Sequence, residues 1–506
     1  PHTSACVYIP FATMHPVKIV DPPSSNMVLR QGNVSQEEGR DISYSDKYAR
    51  DATENDQSSP VKAPLHEKEE KPQVGKPQPF SHHIWDPEVR PMLIAYLKPV
   101  FMMTLIVMVM VWLFCSIYWG SMYGYNENSP RIVGAIVNRD NGLIGQSIVQ
   151  AFLDLNGNDS ELPHSTWELH DTSEFSDHTS LVNAVQPKEK FYIALEIVEG
   201  ATDKLIRARR TGNSSYDPRV VNIIFATAMN PTTVPRYITG PAQKTFSKAQ
   251  VKLNTQLTSQ FLSENINDPE AIETANRAPL TLVNPVASNM MDLRPWKSNV
   301  GMAPTFVGMI YLVILSFQIV IAEYMGRFAI QPYLHFKAFA ILRIATPMVA
   351  SFFVSVMISL LNIPFDLSFD AMFTYGAGFM VYWMCTLCGI VVFMLCLESV
   401  ITITTPKFIG VFLVLFIISN VSVSNSELKL QPSFYLYGYA MPFYNLRRIY
   451  LAIMFNVGER LKILKYIGII WAWIFAVAAS FALIIWLEYL KRFKAYKKSL
   501  DQSKSP

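Results

Sequence analysis

The sequence predicts a membrane α-helical protein, with six transmembrane helices in a 1+5 layout and a large α/β extracytoplasmic domain between helices 1 and 2. Three observations lead to this fold class. Asp, Glu, Lys and Arg make up only 16% of the 506 residues, whereas hydrophobic types reach 50%, which leaves too little charge to cover a soluble protein of this size. The mean hydropathy is positive, at +0.19. The apolar residues also lie in blocks long enough to cross a hydrocarbon core of about 30 Å.

The N-terminal residues 1–80 are rich in proline, serine and charge, and they show neither a helical nor a strand-like apolar period. Such a segment does not bury enough surface to offset the entropy of ordering it. We therefore predict a disordered cytosolic tail. No cleavable signal sequence follows Pro1, so the first apolar block is expected to act as an uncleaved signal anchor.

Six apolar blocks have the length of a membrane-crossing helix. Transmembrane helix 1 is predicted over 92–119, and the other five form a five-helix membrane domain over 301–490. The fifth block is the least regular, because its distal end is polar and Pro406 interrupts its start. The six charge-poor blocks are Pro99–Trp119, Gly301–Ala322, Ile344–Phe365, Ala371–Leu397, Phe408–Ser426 and Tyr466–Leu487.

Lysines and arginines near the ends of the spans predict the orientation. Arg90 and Lys98 precede the first span, Arg327 follows the second, and a basic tail over 491–506 follows the sixth. We therefore expect both the N- and C-termini to be cytosolic, in a multi-pass protein of the plasma membrane. Six bases between spans five and six lie on the opposite side, so residues 430–462 are predicted to be an interfacial segment rather than a free loop.

The extracytoplasmic α/β domain predicted over 120–300 alternates strand and helix signals. β-Branched residues before the turn cluster Asn138–Gly142 predict a first strand, and helical spacing follows the turn. Phe191–Val198 and Val220–Ala228 are two further strand candidates. Thr202 is a candidate cap for a short helix between them. This order predicts a small sheet flanked by helices.

The cysteines and the glycosylation sequons are compatible with this placement. All five cysteines lie outside 120–300, so the domain is predicted to be held by its core and to contain no disulfide. Asn158 and Asn213 each begin a sequon in turn-like surroundings and are candidate glycosylation sites if the domain is lumenal.

Motifs of known catalytic or nucleotide-binding chemistry are missing from the sequence: there is no phosphate-binding loop, HExxH, GxSxG or kinase signature. We therefore predict no enzyme activity, no catalytic residues, no metal and no cofactor. Cys385 and Cys388 form a CxxC inside the fourth span, where buried thiols favour helix packing over metal binding. A net charge of +3 gives no basis for nucleic-acid binding.

Four charged residues lie near the predicted cytoplasmic ends of the spans, namely Glu323, Arg327, Arg343 and Lys407. Snorkelling of long side chains to the headgroup layer accounts for such positions. The alternative is that Glu323, Arg327 and Arg343 pair across the cytoplasmic face of spans two and three. Because few charges are expected at depth, the bundle is predicted to be a poor candidate for a proton-driven pump.

Aromatic residues are concentrated at two predicted outer positions, 117–123 and 434–444, as is typical of an anchor in the headgroup layer. From Pro442, the sequence PFYNLRRIYLAIMF places Arg447 and Arg448 beside an otherwise apolar surface. This pattern predicts an amphipathic helix lying in or dipping into the interface. Such a helix is a candidate lining for the exit route of an amphiphile, with the arginines attracting a phosphate or sulfonate.

Three stretches resemble the fungal nitrosoguanidine-resistance family, a group of multispanning membrane proteins that share a domain of unknown function. They are SIYWGSMY at the end of the first span, AIVNRDNG at the start of the external domain and YGYAMPFYNLRRI before the last span. The resemblance runs from about His83 to Arg492. The 1+5 layout with a VVN-x-D-x-G type of opening is also similar to bacterial ABC-2-type permeases and phage-infection-protein-like membrane proteins. The motif positions, without assigned roles, are Tyr118, Trp119, Asp140, Gly142, Pro442 and Tyr444.

The resemblance implies a permease-like protein that exports or flips amphiphilic or drug-like compounds and confers resistance to nitrosoguanidine-type toxicants. Its expected partners are membrane lipids, amphiphilic small molecules, a second copy in a homodimer and a separate ATPase subunit, since the chain has no ATP-binding motif of its own. The alternative is a non-transporting plasma-membrane scaffold or regulator of membrane lipid or stress signalling. In that case the α/β domain senses and the cytosolic tail recruits.

Overall fold

The computed structural model describes residues 82–158, 161–404 and 406–504, so the predicted tail over 1–80 lies outside the described residues. The described part is mostly helical. Five of its helical segments are long and apolar enough to cross a membrane, in agreement with the predicted membrane α-helical class. They are Arg90–Ser121, Asn299–Tyr333, Phe336–Phe365, Tyr375–Thr404 and Lys462–Gln502.

The first of these segments is a nearly continuous helix. It consists of α1 (Arg90–Met110), a π-helical turn (Val111–Cys115) and α2 (Ser116–Ser121), and the short α3 (Tyr125–Asn128) follows it. No residue of α1 is buried. An isolated apolar helix of this kind keeps all its backbone hydrogen bonds internal, which is the requirement for a lipid-exposed span.

A five-stranded sheet with flanking helices follows α3. In chain order its elements are β1 (Val133–Asn138), α4 (Leu143–Leu153), β2 (Thr166–His170), α5 (His178–Val185), β3 (Ile193–Ile197), α6 (Ala201–Thr211), β4 (Arg219–Phe225), α7 (Gly240–Glu264), α8 (Pro269–Asn276), α9 (Leu280–Val283) and β5 (Ala287–Asp292). The strand order is β2-β1-β3-β4-β5. Only β3 and β4 pair in the antiparallel sense, and the other neighbours are parallel.

Two apolar layers cover the sheet because successive side chains of a strand point to opposite faces. Ile136 and Leu195 are partners in the β1–β3 register, and both belong to the larger layer with α4, α6 and α7. Ala135 and Val137 belong to the smaller layer with α5. The strands β1, β3 and β4 are those that the sequence predicts, whereas β2 and β5 were missed because their mixed polar sequences lack a clear apolar pattern.

The remaining helices pack around α12. In chain order they are α10 (Gly308–Ile330), α11 (Phe336–Leu360), α12 (Tyr375–Thr404), α13 (Ile409–Ser424), α14 (Pro442–Phe455) and α15 (Lys462–Lys504). Every residue from 389 to 399 of α12 is buried, and α12 contacts each of the other five helices. Charged residues on this stretch of α12 therefore lie inside protein rather than against lipid.

The helix α13 differs from the fifth span predicted over Phe408–Ser426. It has 16 residues, which corresponds to about 24 Å at 1.5 Å per residue, less than the hydrocarbon thickness of about 30 Å. Its polar end is buried and finds backbone partners: the Ser422 hydroxyl donates to the Ile418 carbonyl at 2.7 Å, and the side-chain oxygen Oδ1 of Asn420 accepts from the Phe443 N–H at 3.2 Å. Polar residues are tolerated here because protein surrounds them.

Residues 425–462, which we call the seat, hold the sheet against the helices. The Arg294 guanidinium donates to the Asn456 carbonyl at 2.7 Å, and the rings of Trp296 and Phe455 stack with centroids 4.2 Å apart. Further hydrogen bonds join Arg131 to Gln431, Gln186 to Gly458 and Tyr192 to Glu427. The segment predicted as interfacial is thus largely a docking surface for the sheet.

Candidate functional site

Charged side chains from four helices meet inside the helical bundle. Arg327 of α10 donates to a carboxylate oxygen of Glu398 on α12 at 3.0 Å, and Arg343 of α11 donates to the same oxygen at 2.8 Å. Arg343 also donates to Glu488 of α15 at 2.6 Å. The Arg327, Arg343 and Glu398 side chains are at most 5% exposed. We call these residues, together with Arg492, which pairs with Glu488, the charge network.

Arg343 is the centre of the charge network. Its guanidinium reaches Glu398 and Glu488, and it also donates to the Thr402 hydroxyl at 2.6 Å. Removing a charge from water is costly, and a buried ion pair is tolerated only when partners and geometry compensate it. The network therefore ties α10, α11, α12 and α15 together at one level of the bundle, and loss of one member leaves a buried charge without its partner.

Three polar atoms beside this network have no hydrogen-bond partner among the described residues. They are Oε1 of Glu323, Nε of Arg327 and Nε of Arg343, all of them buried. The three residues line one cavity of about 250 Å³. A buried polar atom without a partner costs about 1–3 kcal/mol. The arrangement suits water or a polar ligand that accepts from the two guanidinium N–H groups and donates to the carboxylate.

The polar cavity lies along the line where α10 and α11 face each other, which we call the seam. A second cavity of about 570 Å³ lies along the same seam and is lined by Leu315, Gln318 and Ile319 of α10 together with apolar residues of α11. Ile319 and Glu323 are four residues apart and therefore share one face of α10. The seam thus places a charged cavity next to an apolar one, which is the arrangement that an amphiphile requires.

Two of the sequence-based expectations for charged residues need correction here. Snorkelling does not describe Arg327 and Arg343, because both are buried and paired to Glu398 rather than extended to the headgroup layer. The alternative of pairing across spans two and three is closer, although the pairing runs through α12. Lys407 is exposed and takes no part. These buried charges lie at the ends of the spans, so the expectation of few charges at depth stays a prediction.

Sequence reasoning missed Glu398 and Glu488. A signal was present, because each of these residues directly follows the last residue of a predicted span, as Glu323 does, and Arg343 directly precedes one. Helices that cross the same layer end at the same level, so their terminal charges can meet. Hydropathy alone does not tell whether such a residue faces lipid or a neighbouring helix.

The helix that begins at Pro442 is not the interfacial amphipathic helix that the sequence predicts. All residues of α14 except Tyr444 and Arg448 are buried. Burial lowers the pKa of the Arg447 guanidinium to about 10. Burial acts in the same direction on the pKa of Arg448 and is the largest single effect, but the carboxylates of Glu189 and Glu427 together with the hydroxyls of Tyr444 and Tyr466 outweigh it, and the pKa is raised.

Arg448 forms an ion pair with Glu189 and donates to the Tyr466 hydroxyl at 3.3 Å. Lys462 lies 3.5 Å from the same carboxylate. Glu189 belongs to the sheet region, so the sheet region covers the side of α14 that carries Arg448. Arg448 therefore fastens the sheet to the seat and does not face a lipid exit route.

Of the aromatic motif residues, Trp119 is 63% exposed, which fits an anchor in the headgroup layer, and Tyr118 is partly buried. The two aromatic segments meet, since the Tyr435 hydroxyl donates to the Ile117 carbonyl at 2.7 Å. A Cβ on Gly120 would lie 2.7 Å from that hydroxyl oxygen. These segments therefore join the end of α2 to the seat.

Asp140 and Gly142 have a structural role that the motif did not reveal. The Asp140 carboxylate accepts from the Gly145 N–H at 3.0 Å, the Thr202 N–H at 3.0 Å and the Thr202 hydroxyl at 2.7 Å. It thereby occupies the anion position at the start of both α4 and α6, next to the carboxyl ends of β1 and β3, where many α/β folds bind a phosphate. Thr202 serves this contact instead of capping α6, whose N-cap is Gly200.

A second cluster of polar side chains surrounds Glu196 of β3. Its carboxylate accepts from Arg139 at 3.0 Å and from Asn222 at 3.0 Å, and it lies 2.5 Å from Nδ1 of His178. Burial by itself raises the pKa of Glu196, but the bonds from His178, Asn222 and Arg139 outweigh burial and the pKa is lowered. This carboxylate stays ionised inside the sheet.

The candidate glycosylation sites lie in loops of the sheet region. Asn213 is exposed after the end of α6, and its side-chain oxygen accepts from the Ser215 N–H at 3.0 Å. Asn158 is partly buried, and the next two residues of its sequon lie outside the described residues. Asn213 therefore has the accessibility that modification requires.

Five membrane-capable helices and a buried charge network within them define a membrane protein. The chain belongs to the family described as "Protein of unknown function (DUF3533)", which matches residues 103–479. It is similar to a protein of Saccharomyces cerevisiae (strain ATCC 204508 / S288c) described as "Uncharacterized endoplasmic reticulum membrane protein YJR015W", with 26% identity over 334 residues. The alignment covers 62% of this chain and 62% of the yeast protein, so the chain spans less than two thirds of that relative. No solved structure matches the chain.

Proposed function

We propose that the protein is a permease that flips or exports amphiphilic compounds along the seam between α10 and α11. The single observation that carries this proposal is the pair of adjacent cavities, one lined by Glu323, Arg327 and Arg343 and the other lined mainly by apolar side chains. The polar cavity can form further hydrogen bonds, because three of its buried polar atoms have no hydrogen-bond partner among the described residues. Resistance to nitrosoguanidine-type toxicants would then follow from removal of the compound or its lipid-soluble products from the membrane.

The membrane arrangement that goes with this proposal is the 1+5 layout with an extracytoplasmic α/β domain and both termini cytosolic. It requires α13 to complete the sixth crossing together with the residues that flank it. The seam then opens its polar end toward the cytosolic side, because α10 starts next to the sheet and ends at Ile330. The membrane is that of the endoplasmic reticulum or the plasma membrane, and the yeast relative's description supports the former.

The energy source in this proposal is a separate ATPase subunit acting on a homodimer, as in ABC-2-type permeases. The charge network is the natural point of coupling, since it ties α10 and α11 to α12 and α15. The buried carboxylates of Glu398 and Glu488 make proton coupling the alternative energy source to be tested. Transport assays with ATP and with a pH gradient distinguish the two sources.

The test uses the purified full chain in lipid vesicles, with movement of a fluorescent lipid between leaflets as the readout. Gly326 lines the polar cavity, and a Cβ built there meets no atom within 4 Å, so the backbone tolerates a side chain at this position and Gly326→Leu is expected to narrow the cavity. Gly468 of α15 is equally open and lines neither cavity of the seam, which makes Gly468→Leu the matched control. We expect Gly326→Leu to lose transport and Gly468→Leu to keep it. Equal transport by both variants would show that the seam is not the route.

Transport at background for several labelled lipids and drugs, with and without candidate ATPases, would refute the permease. The alternative of a scaffold or regulator would then be favoured if deletion of residues 1–80 removes the resistance phenotype. The docked sheet supports this alternative, because the seat joins the external region to the bundle through several hydrogen bonds and an ion pair.

A further inference from the structure

We infer that the polar cavity of the seam binds the headgroup of a phospholipid that carries both a phosphate and a primary ammonium group, as phosphatidylethanolamine does. This inference deepens the proposed function, because it names the class of amphiphile that the seam would hold. It rests on three features of the cavity: the hydrogen-bonding atoms left free, the balance of charge and the apolar space next to it.

The polar atoms without hydrogen-bond partners suit both charged groups of such a headgroup, the phosphate and the ammonium. Nε of Arg327 and Nε of Arg343 each carry an N–H without an acceptor, and both side chains are at least nine-tenths buried. Guanidinium N–H groups form their strongest hydrogen bonds with phosphate and carboxylate oxygens. Oε1 of Glu323, in the same cavity, is an acceptor without a donor. An anion alone satisfies the arginines and leaves Glu323 without a partner, whereas a phosphate with an ammonium group satisfies all three.

The charge balance favours a ligand without net charge. Three guanidinium groups, those of Arg327, Arg343 and Arg492, stand against the three carboxyl groups of Glu323, Glu398 and Glu488, so the group is neutral when all three carboxyls are ionised. Burying a net charge in a low-dielectric site is costly. An anionic headgroup would add one uncompensated negative charge, whereas a zwitterionic headgroup adds none.

The acceptor on Glu323 also distinguishes between zwitterionic headgroups. A primary ammonium has N–H groups to donate, whereas the quaternary ammonium of choline has none and is larger. Ethanolamine is therefore expected to bind more tightly than choline.

The rest of the lipid matches the remaining seam. Gln318 lies five residues before Glu323, about 7.5 Å along α10, and its exposed amide lines the apolar cavity. An amide in this position is suited to donate to an acyl-ester carbonyl below the phosphate. The stretch from Glu323 to Leu315 covers about 12 Å of helix, comparable to one leaflet of hydrocarbon, which is about half of 30 Å.

The experiment measures binding rather than transport. The full chain in detergent is titrated with lipids that share their acyl chains and carry ethanolamine, choline, glycerol or serine headgroups, and bound lipid is counted by native mass spectrometry. The wild type is expected to prefer ethanolamine over choline and glycerol by about tenfold, the value of one charge-assisted hydrogen bond. Serine keeps the ammonium group and is expected to bind more weakly because its carboxylate adds a net negative charge. Equal binding of all four, or preference for an anionic lipid, would overturn the inference.

Glu323→Gln keeps the size of the side chain and removes its charge, so the site gains one positive charge. This variant is expected to lose the ethanolamine preference and to favour the anionic glycerol headgroup by a similar factor. Glu273→Gln removes a carboxylate that is 75% exposed on α8 and should bind like the wild type. Gly326→Leu should reduce binding of all four lipids, while an unchanged melting temperature shows that it is folded. An unaltered preference in Glu323→Gln would refute the role assigned to this carboxylate.

The permease proposal and the headgroup inference are refuted by different results. If lipids or drugs cross the membrane without headgroup preference at the cavity, the permease proposal stands and the headgroup inference is wrong. If ethanolamine lipid binds selectively but no compound moves in vesicles, the cavity is a lipid site in a protein that does not transport.

Discussion

Replacement of Glu398 is predicted to destabilise the helical bundle more than any surface charge change. Its carboxylate accepts from Arg327 at 3.0 Å and from Arg343 at 2.8 Å, with all three side chains at most 5% exposed. In Glu398→Gln, Arg343 retains Glu488 at 2.6 Å, whereas Arg327 keeps no ionised partner among its described contacts. Removing one partner of a buried pair costs about 3–5 kcal/mol. We expect a value near 3 kcal/mol, because the amide oxygen still accepts one hydrogen bond.

The assay is thermal unfolding of the purified full chain, followed by tryptophan fluorescence in one detergent. Glu273→Gln is the control, since its pair with Arg277 is exposed on both sides and such pairs contribute about 0–1 kcal/mol. The double variant Glu398→Gln with Arg327→Met removes the stranded charge as well. It should therefore melt above the single Glu398→Gln variant.

Two results would refute this reasoning. If Glu398→Gln and Glu273→Gln melt at the same temperature, the network contributes no more than a surface pair. If the effects of Glu398→Gln and Arg327→Met simply add, the two residues are not coupled, because contacting charges show interaction energies of about 0.5–3 kcal/mol in such cycles.

Three further predictions concern the sheet region. Gly142→Ala should destabilise it by about 1–3 kcal/mol, because a Cβ there would lie 2.3 Å from the Thr202 hydroxyl oxygen; faster proteolysis of the region measures this, and wild-type resistance would contradict it. The lowered pKa of Glu196 stabilises the fold above its ordinary value of 4.5, and this contribution is lost as the pH falls through the folded-state pKa. Melting measured from pH 6 to pH 3 should thus fall less steeply in Glu196→Gln than in the wild type; parallel curves would contradict the assignment. Asn213→Gln should remove one glycan in a eukaryotic host, seen as loss of a glycosidase-sensitive mobility shift that the wild type shows; an unchanged shift in the variant would contradict modification at Asn213.

The motif residues show how much of a residue's role a sequence pattern predicts. Asp140 and Gly142 were found as motif positions without a role, because the partner that explains them, Thr202, is 62 residues away from Asp140. The arginines of α14 were placed correctly on a helix, but their surroundings were not, since the sheet that covers them comes from a distant part of the chain. A periodicity describes one helix and contains no information on what packs against it.

The sequence by itself determined the class of protein, because hydropathy and the length of apolar blocks depend only on local composition and the fixed rise of a helix. It also placed Glu323, Arg343, Glu398 and Glu488 at the ends of their spans. Only the tertiary structure decided that these charges turn inward, share partners and leave three atoms free beside an apolar cavity. The physical reason is that the direction of a side chain at a helix end is set by packing against other helices, and in a bundle surrounded by lipid the burial of a charge depends on which neighbour provides its counter-charge.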